Sequence, residues 1–404
     1  MLLAFGLQLP AVPPPSPPAG QPVPPPVTRP AAALPTTWSA IWSHDITETA
    51  ELRLALSRDF VFVAGPDTAL EARAAATGEI AWQHAITSWQ ALSAGTTTVL
   101  GVSGDHAYAL DAATGRTRWV TQTTGPNTRL VLDGRHLLMV SDNDLLLRDI
   151  DTGTPIWRAG LTAPPAAPAA LGTDVVAVAQ RNGDVLVLER STGAARWRTK
   201  LSSVARTMSA VSPLVYAGLV NGTFCALNDR NGSERWCFAL RVPAVGAPVV
   251  DGDQVRVALL DNSLRSFNRL NGSMGQPASL GHRPASGPWL TDTAVIVGLT
   301  TGEFLVLDRT SGRALPRLTV PDTTSTQLLE AAAISGDGQT VASVTVTPGG
   351  QRRLSAYRPR PAQPLPIVRT LPRFPTVTLQ APRASGPVTP ASRAPVPRPF
   401  PVAP

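Results

Sequence analysis

The chain is built around one stretch, Ala109-Leu110-Asp111-Ala112-Ala113-Thr114-Gly115-Arg116-Thr117-Arg118-Trp119. Its Thr-Gly pair, with a Trp four residues after the Gly, returns in related form at intervals of 37 to 40 residues. Seven copies place the glycine at Gly78, Gly115, Gly153, Gly193, Gly232, Gly272 and Gly312. The first five copies keep the indole, at Trp82, Trp119, Trp157, Trp197 and Trp236. A fixed period near 40 residues indicates stacked supersecondary units.

Each unit is composed of short strands. Runs rich in Val, Leu and Ala, such as residues 175–179 and 185–188, are separated by turn residues such as Asn182-Gly183. Asn-Gly accepts the positive φ angles that a two-residue hairpin requires. With the Thr-Gly turn as a second hairpin and a further run of small residues, each period holds four strands and has no room for helices. Four strands in about 40 residues are typical of a β-propeller blade.

The two ends of the repeat region fix the number of blades. Seven complete units occupy roughly residues 51–320, and three more strand-like runs follow between residues 328 and 357. The fourth strand of this last unit is available at the other end, because residues 42–46 resemble residues 82–86 of the first full unit. We therefore predict an all-β, eight-bladed propeller with four antiparallel strands per blade over residues 38–358. Residues 38–46 are expected to close the ring.

The flanking segments differ from the repeats in composition. Residues 1–37 begin with a short apolar run without preceding basic residues and continue as a Pro-rich segment, which predicts an unpacked linker after an incomplete signal peptide. Residues 359–404 contain Pro and six Arg but no acid, which predicts a low-complexity tail. Those six Arg and Arg29 account for the formal net charge of +7. The ring is therefore balanced, and the basic character belongs to the flanks.

Two cysteines, Cys225 and Cys237, flank the Asn231-Gly232 turn symmetrically and are expected to face each other across a hairpin. A disulfide in an oxidising compartment and a pair of small buried thiols both fit this spacing. No phosphate loop, zinc pair or nucleophile elbow occurs, and the five His are scattered. We expect no catalytic residues, no substrate, no cofactor and no metal.

The repeat Ala-x-Asp-x-x-Thr-Gly-x-x-x-Trp resembles the tryptophan-docking repeat of the pyrroloquinoline-quinone-type (PQQ-type) propellers. The motif is intact at residues 109–119 and nearly intact at residues 226–236. In that family the Trp packs between blades onto the backbone near the Gly of the next blade. The resemblance implies a structural docking role for the seven glycines, for the five indoles of the repeats and for Trp42.

Two branches of this family give different expectations. Quinoprotein dehydrogenases use Ca²⁺, a catalytic Asp and adjacent cysteines, and none of that constellation can be located here. The resemblance is closer to the BamB branch, the propeller subunit of the outer-membrane β-barrel assembly machinery. There, the loops between blades contact a partner, which implies that residues 161–168, 201–208 and 240–248 do so here, through Arg206 and Arg241. Arg129 and Glu330 are further candidates at a channel mouth.

The sequence therefore predicts a non-catalytic scaffold, a monomeric ring that binds other proteins of an assembly complex in the periplasm or cell envelope. A propeller that binds quinone or another small ligand is one alternative. A scaffold whose basic tail contacts nucleic acid or anionic surfaces is another, although nucleic acid is not the favoured partner. Peripheral membrane association also stays open.

Overall fold

The computed structural model describes residues 36–47, 51–125, 127–320 and 327–361. These residues form 31 strands in eight sheets, and no helix occurs among them. No segment of the described chain therefore provides a helix that could span a membrane. The predicted linker, residues 1–37, and the predicted tail, residues 359–404, fall almost entirely outside the described residues.

The strands are numbered in chain order, and seven of the sheets contain consecutive strands that define blades 1 to 7. The first strand of the chain, which belongs to an eighth sheet, is β1 (Thr36–Ile46). The strands of blades 1 to 4 are β2 (Arg53–Leu56), β3 (Phe60–Ala64), β4 (Leu70–Ala74) and β5 (Ile80–His84); β6 (Trp89–Ala94), β7 (Thr98–Ser103), β8 (His106–Asp111) and β9 (Thr117–Gln122); β10 (Arg129–Asp133), β11 (His136–Val140), β12 (Asp144–Asp149) and β13 (Pro155–Gly160); β14 (Ala170–Leu171), β15 (Val175–Ala179), β16 (Asp184–Glu189) and β17 (Ala195–Lys200). The strands of blades 5 to 7 are β18 (Ala205–Val211), β19 (Leu214–Leu219), β20 (Thr223–Asn228) and β21 (Glu234–Ala239); β22 (Ala244–Asp251), β23 (Gln254–Leu259), β24 (Ser263–Asn268) and β25 (Ala278–Ser279); β26 (Pro284–Leu290), β27 (Ala294–Leu299) and β28 (Phe304–Asp308).

Blade 8 joins the two ends of the ring. It contains β29 (Leu328–Ile334), β30 (Val341–Val346) and β31 (Arg352–Pro361), with β1 paired antiparallel to the outer edge of β31. The register runs from Thr36 opposite Pro361 to Ile46 opposite Arg352. The prediction of an eight-bladed propeller closed by an N-terminal strand is confirmed.

The outer strand is reduced in blades 6 and 7. In blade 6 it is the two-residue β25, and in blade 7 it consists of isolated bridges, Phe304 to Leu318 and Leu307 to Ala314. These two blades follow the five repeats that carry a docking Trp on a regular outer strand. The fourth position of the sheet is therefore filled in both, but by few residues.

The hydrophobic core lies between neighbouring blades. The second strand of a blade is covered on both faces, and β15, β19 and β27 are buried along their whole length. Such strands show continuous runs of Val, Ile, Leu and Ala because neither face meets water. The outermost strands, such as β9, instead alternate between half-buried and exposed residues.

Two faces of the ring follow from this meander. One face carries the connections from the outermost strand of one blade to the innermost strand of the next, together with the hairpin turns between the second and third strands. We call it the connection face. The opposite face carries the other two hairpin turns of each blade, including the Thr-Gly turns, and we call it the turn face. The predicted partner-binding loops belong to the connection face.

Candidate partner-binding face

Six tryptophans hold successive blades together near the turn face. Each indole Nε1 donates a hydrogen bond to the carbonyl oxygen of the residue that follows the third strand of the next blade. The pairs are Trp42 to Ala75 (2.9 Å), Trp82 to Ala112 (3.0 Å), Trp119 to Ile150 (2.9 Å), Trp157 to Arg190 (2.7 Å), Trp197 to Asp229 (2.9 Å) and Trp236 to Arg269 (3.0 Å). The only polar atom of each side chain is therefore engaged within the protein.

The turn glycines receive these indoles. A Cβ added at Gly193 would lie 2.6 Å from Trp157, and the same addition at Gly78, Gly115, Gly153, Gly232 and Gly272 would meet an indole within 3.0 Å. Gly312 has no neighbour within 4 Å of that position, because the preceding blade has no Trp on its outer strand. Its φ of +68° gives a separate reason for glycine there. Glycine is thus required by the positive φ angle of the turn in all seven copies, and by the close approach of an indole in six of them.

Arginine side chains add a second set of links between blades on the turn face. Arg190 pairs with Asp133 of the preceding blade and donates to the carbonyl of Gly172. Arg269 donates to the carbonyls of residues 211 and 212 at 2.7 Å, and Arg309 binds Asp251 at 2.8 Å. Each connects residues 57 or 58 positions apart in the sequence. The sequence analysis did not predict these contacts, because each Arg and its partner are separated by about one and a half repeats in the sequence.

The turn acids have structural partners as well. Asp111 accepts hydrogen bonds from the backbone and hydroxyl groups of Thr114 and pairs with Arg118 at 2.7 Å. The Arg118 hydrogen bond, with those of Thr114, lowers the pKa of Asp111 to about 2. Asp149 accepts a hydrogen bond from the backbone amide of Thr152, and Asp308 accepts hydrogen bonds from the hydroxyl and the amide of Ser311. These hydrogen bonds lower the pKa of both carboxyls. The polar position of the repeat therefore shapes the hairpin.

Glu330 is engaged inside the ring. Its carboxylate pairs with Arg352 at 2.6 Å and accepts a hydrogen bond from the amide of Leu52 at 3.0 Å. Only 10 % of its side chain is exposed. The residue joins blade 8 to the connection that enters blade 1, and its carboxylate is not available on the surface for a partner.

Arg206 and Arg241 lie exposed on the connection face at the two sides of blade 5. Neither guanidinium makes an ion pair or hydrogen bond with the residues that the structure describes. Their backbones are fixed, since the amide of Arg241 bonds to the carbonyl of Gly222 at 3.1 Å and Arg206 is the bulge residue of β18. Most other arginines of the ring are held by acids or carbonyls, so these two are free to bind another molecule.

The turn of residues 220–222 lies between these two arginines. The amide of Val220 bonds to the carbonyl of Val204 at 2.9 Å, and Gly222 packs against the backbone of Arg241. Val220 is 51 % exposed although its neighbours in β19 are buried. Arg206, Val220 and Arg241 thus form one surface patch, which we call the blade 5 patch. Sequence reasoning missed Val220 because a single Val beside a turn carries no periodic signal.

The cysteines of blade 5 are joined. Cys225 on β20 lies directly opposite Cys237 on β21, and their sulfurs form a disulfide. Cys225 is buried and Cys237 is half-buried. The structure thereby decides between the two states that the sequence left open. Among the described residues, no three or more His, Cys, Asp or Glu side chains are grouped as a metal site would require.

Fold and docking contacts together define a tryptophan-docked, eight-bladed β-propeller that presents exposed, unpaired arginines on its connection face. Within that class, the family model described as "Outer membrane protein assembly factor BamB" matches residues 32–149, 141–221 and 207–363, and the chain belongs to this family. The resemblance seen in the repeats is therefore confirmed.

Individual relatives share limited identity with the chain. The outer membrane protein assembly factor BamB of Yersinia pestis is 24 % identical over 324 residues, which covers 71 % of this chain and 81 % of the relative. The protein of that name from Bordetella pertussis is 25 % identical over 324 residues, 60 % of this chain and 83 % of the relative. Both are thus matched over more than two thirds of their own length.

Solved structures support the fold. BamB from Moraxella catarrhalis matches with a TM-score of 0.58 at 16 % identity, over 80 % of this chain and 98 % of that structure. The computationally designed Ika8 protein matches equally well, with a TM-score of 0.59 at 16 % identity, over 78 % and 98 %. A designed ring and a BamB structure fit alike, so this likeness shows the architecture alone.

Proposed function

We propose that the protein is a non-catalytic scaffold of the cell envelope that binds another protein of outer-membrane assembly through its connection face. The observation that carries the proposal is the blade 5 patch, two uncommitted exposed arginines on either side of an exposed Val. Membership of the assembly-factor family suggests outer-membrane assembly as the process, and the blade 5 patch suggests where the partner binds.

The composition of the patch suits a protein partner. Arginine is enriched at the energetic centres of protein interfaces because its planar guanidinium binds carboxylates and carbonyls while its stem packs against apolar groups. An exposed aliphatic side chain between two such groups supplies apolar area that a partner can bury. The patch also rests on a backbone fixed by hydrogen bonds, so binding has to order side chains but not the backbone beneath them.

The disulfide of blade 5 supports an envelope location. Disulfides persist in oxidising compartments such as the bacterial periplasm and are rare in the cytosol. The Cys225–Cys237 bond joins the two outer strands of the blade that carries the patch. It therefore stabilises the scaffold beneath the proposed interface.

The non-catalytic part of the proposal rests on how the repeat residues are used. The indoles are hydrogen-bonded between blades, and the turn acids bind their own amides or a neighbouring Arg. The recurring Trp and acidic residues of the repeat therefore form hydrogen bonds that hold the blades and turns together.

A capture experiment with the full chain tests the proposal. Tagged wild-type protein is incubated with the detergent-solubilised envelope fraction of its own cells, and captured proteins are identified by mass spectrometry. The variant Arg206→Glu with Arg241→Glu is compared with Arg116→Glu with Arg313→Glu, which changes two exposed, unpaired arginines on the turn face. We expect wild type and the turn-face variant to retain an outer-membrane assembly protein that the patch variant loses. Equal capture by both variants, or no assembly protein in any sample, would refute the proposal.

A further inference from the structure

A second feature of the connection face lies away from the blade 5 patch. A cavity of about 660 Å³ opens where the innermost strands of blades 1 to 3 meet the connection that enters blade 4. Residues from four consecutive blades line it, and neither Arg206 nor Arg241 is among them. Its volume falls within the range of ligand-binding pockets.

The cavity contains cations that have no partner in the ring. Arg129, the first residue of β10, and Arg181, in the hairpin turn of blade 4, both line it and are exposed. Neither guanidinium has an ion pair or hydrogen bond among the described residues. The third arginine, Arg53, is engaged, because it pairs with Glu51 at 2.8 Å and donates to the carbonyl of Gln90 at 3.3 Å. Two guanidinium groups therefore remain available in one cavity.

The acids on the cavity wall are already partnered. Glu51 is the carboxylate that pairs with Arg53, and Asp142 Oδ2 accepts a hydrogen bond from the side-chain Nδ2 of Asn127 at 2.9 Å. Neither acid bonds to Arg129 or Arg181. With three arginines and two acids, the lining has an excess of one positive charge. The two unpaired guanidinium groups supply charged hydrogen-bond donors, which suit an anionic ligand.

The backbone beneath the two arginines is fixed, since Arg129 lies opposite Val140 where β10 pairs with β11. The amide of Arg181 bonds to the carbonyl of Pro164 at 2.9 Å, next to the bridge between Pro165 and Gln180. The side chain of Gln180 is fully buried, and its Oε1 accepts bonds from the amide and hydroxyl of Thr162 and from the amide of Ala163. The connection between blades 3 and 4 is therefore tied to the turn that carries Arg181.

Two strained residues lie on the same wall. Ser88 and Asn127 have φ angles of 63° and 56°, and they are two of the four described residues other than glycine with positive φ. Such conformations cost free energy and cluster at ligand sites, where the surrounding structure holds them in place. Both residues lie on adjacent connections, so two neighbouring parts of the cavity wall have uncommon backbone conformations.

We propose that this cavity binds an extended acidic segment of a protein, with carboxylates paired to Arg129 and Arg181. A guanidinium binds a carboxylate through two parallel hydrogen bonds, and two of them on neighbouring blades fit acidic side chains spaced along one chain. The remaining wall, which includes Pro66, Ala91 and Pro165, offers apolar contact for the stems of that segment. The site goes beyond the proposed function, because the blade 5 patch can bind its partner whether or not the cavity is occupied.

Fluorescence anisotropy with the full chain at low salt tests the assignment. The probe is a fluorescein-labelled peptide of four Glu-Ala repeats, and its uncharged match has four Gln-Ala repeats. The variant Arg129→Gln with Arg181→Gln is compared with Arg116→Gln with Arg313→Gln on the turn face. We expect the cavity variant to weaken binding of the acidic peptide about tenfold or more, and the turn-face variant to leave it unchanged. Because all four arginines are exposed, thermal melts of both variants should match wild type.

Other results would overturn the proposal. These are equal binding of the acidic peptide by wild type and the cavity variant, equal binding of the Gln-Ala peptide, or no binding up to about 1 mM peptide. Citrate and phosphate at the peptide's concentration should not displace it, and displacement by either would assign the site to a small anion. An oligothymidylate whose binding depends on Arg129 and Arg181 would assign it to nucleic acid. Capture of the assembly protein by the cavity variant is expected to stay intact, which separates this site from the blade 5 patch.

Discussion

Replacing a turn glycine by alanine should be far more destabilising where an indole docks than where none does. Gly193 and Gly312 occupy the same turn position, with φ angles of 73° and 68° and the same hydrogen bond of 2.8 Å from their amides. Alanine costs about 1–2 kcal/mol at either site, because its Cβ is disfavoured at positive φ. At Gly193 the new Cβ would also lie 2.6 Å from Trp157, which is buried.

The additional cost at Gly193 follows from the displaced indole. Moving a buried side chain out of an overfilled contact costs about 1–3 kcal/mol. We therefore expect Gly193→Ala to lower the free energy of unfolding by about 2–5 kcal/mol in total, and Gly312→Ala by only the backbone cost. Urea unfolding followed by far-UV circular dichroism measures both, and the comparison cancels the backbone contribution. Equal losses for the two variants would refute the docking role of the indole contact.

Three further predictions concern the links inside the ring. The pKa of Asp111 is lowered to about 2, so its interactions stabilise the fold above the ordinary carboxyl pKa and are lost as the pH falls. The melting temperature should therefore drop between about pH 4 and pH 2. A melting temperature that stays constant over this range would contradict the prediction. Arg309→Ala should lower the free energy of unfolding by about 1.5–3 kcal/mol because it removes charged hydrogen bonds between blades, whereas exposed Arg313→Ala should change it by less than about 0.5 kcal/mol. The double variant Cys225→Ala with Cys237→Ala should lose about 2–4 kcal/mol in urea unfolding, and Ellman's reagent should find no free thiol in the denatured wild type before reduction.

Much of the architecture could be predicted because its signals are local and repeated. The Thr-Gly turn, the Asn-Gly hairpins and the runs of small apolar residues each specify a feature within a few positions, and seven copies give the blade. Closure by β1 was also visible in the sequence, because residues 42–46 repeat the pattern of an outer strand. The fold of a propeller can be predicted from local sequence because each blade contacts mainly its neighbours.

The candidate site was only partly accessible in this way. Arg206 and Arg241 are exposed, as expected for residues of loops that were predicted to contact a partner. Glu330 instead pairs with Arg352 inside the protein. Whether a charged residue is free depends on which side chain faces it across a blade boundary. Sequence spacing does not give that partner, because it lies in another repeat.

The number of blades, the four strands of each blade and the strand that closes the ring follow from local sequence patterns, since these features depend on turn chemistry and hydrophobic periodicity. Which charges stay unpaired depends on how the blades pack together. The arginine links of the turn face, the exposed Val220 and the cavity around Arg129 and Arg181 all arise from residues in different blades. Charge pairing and exposure are properties of surfaces that meet only after the ring has closed, and for that reason no local pattern records them.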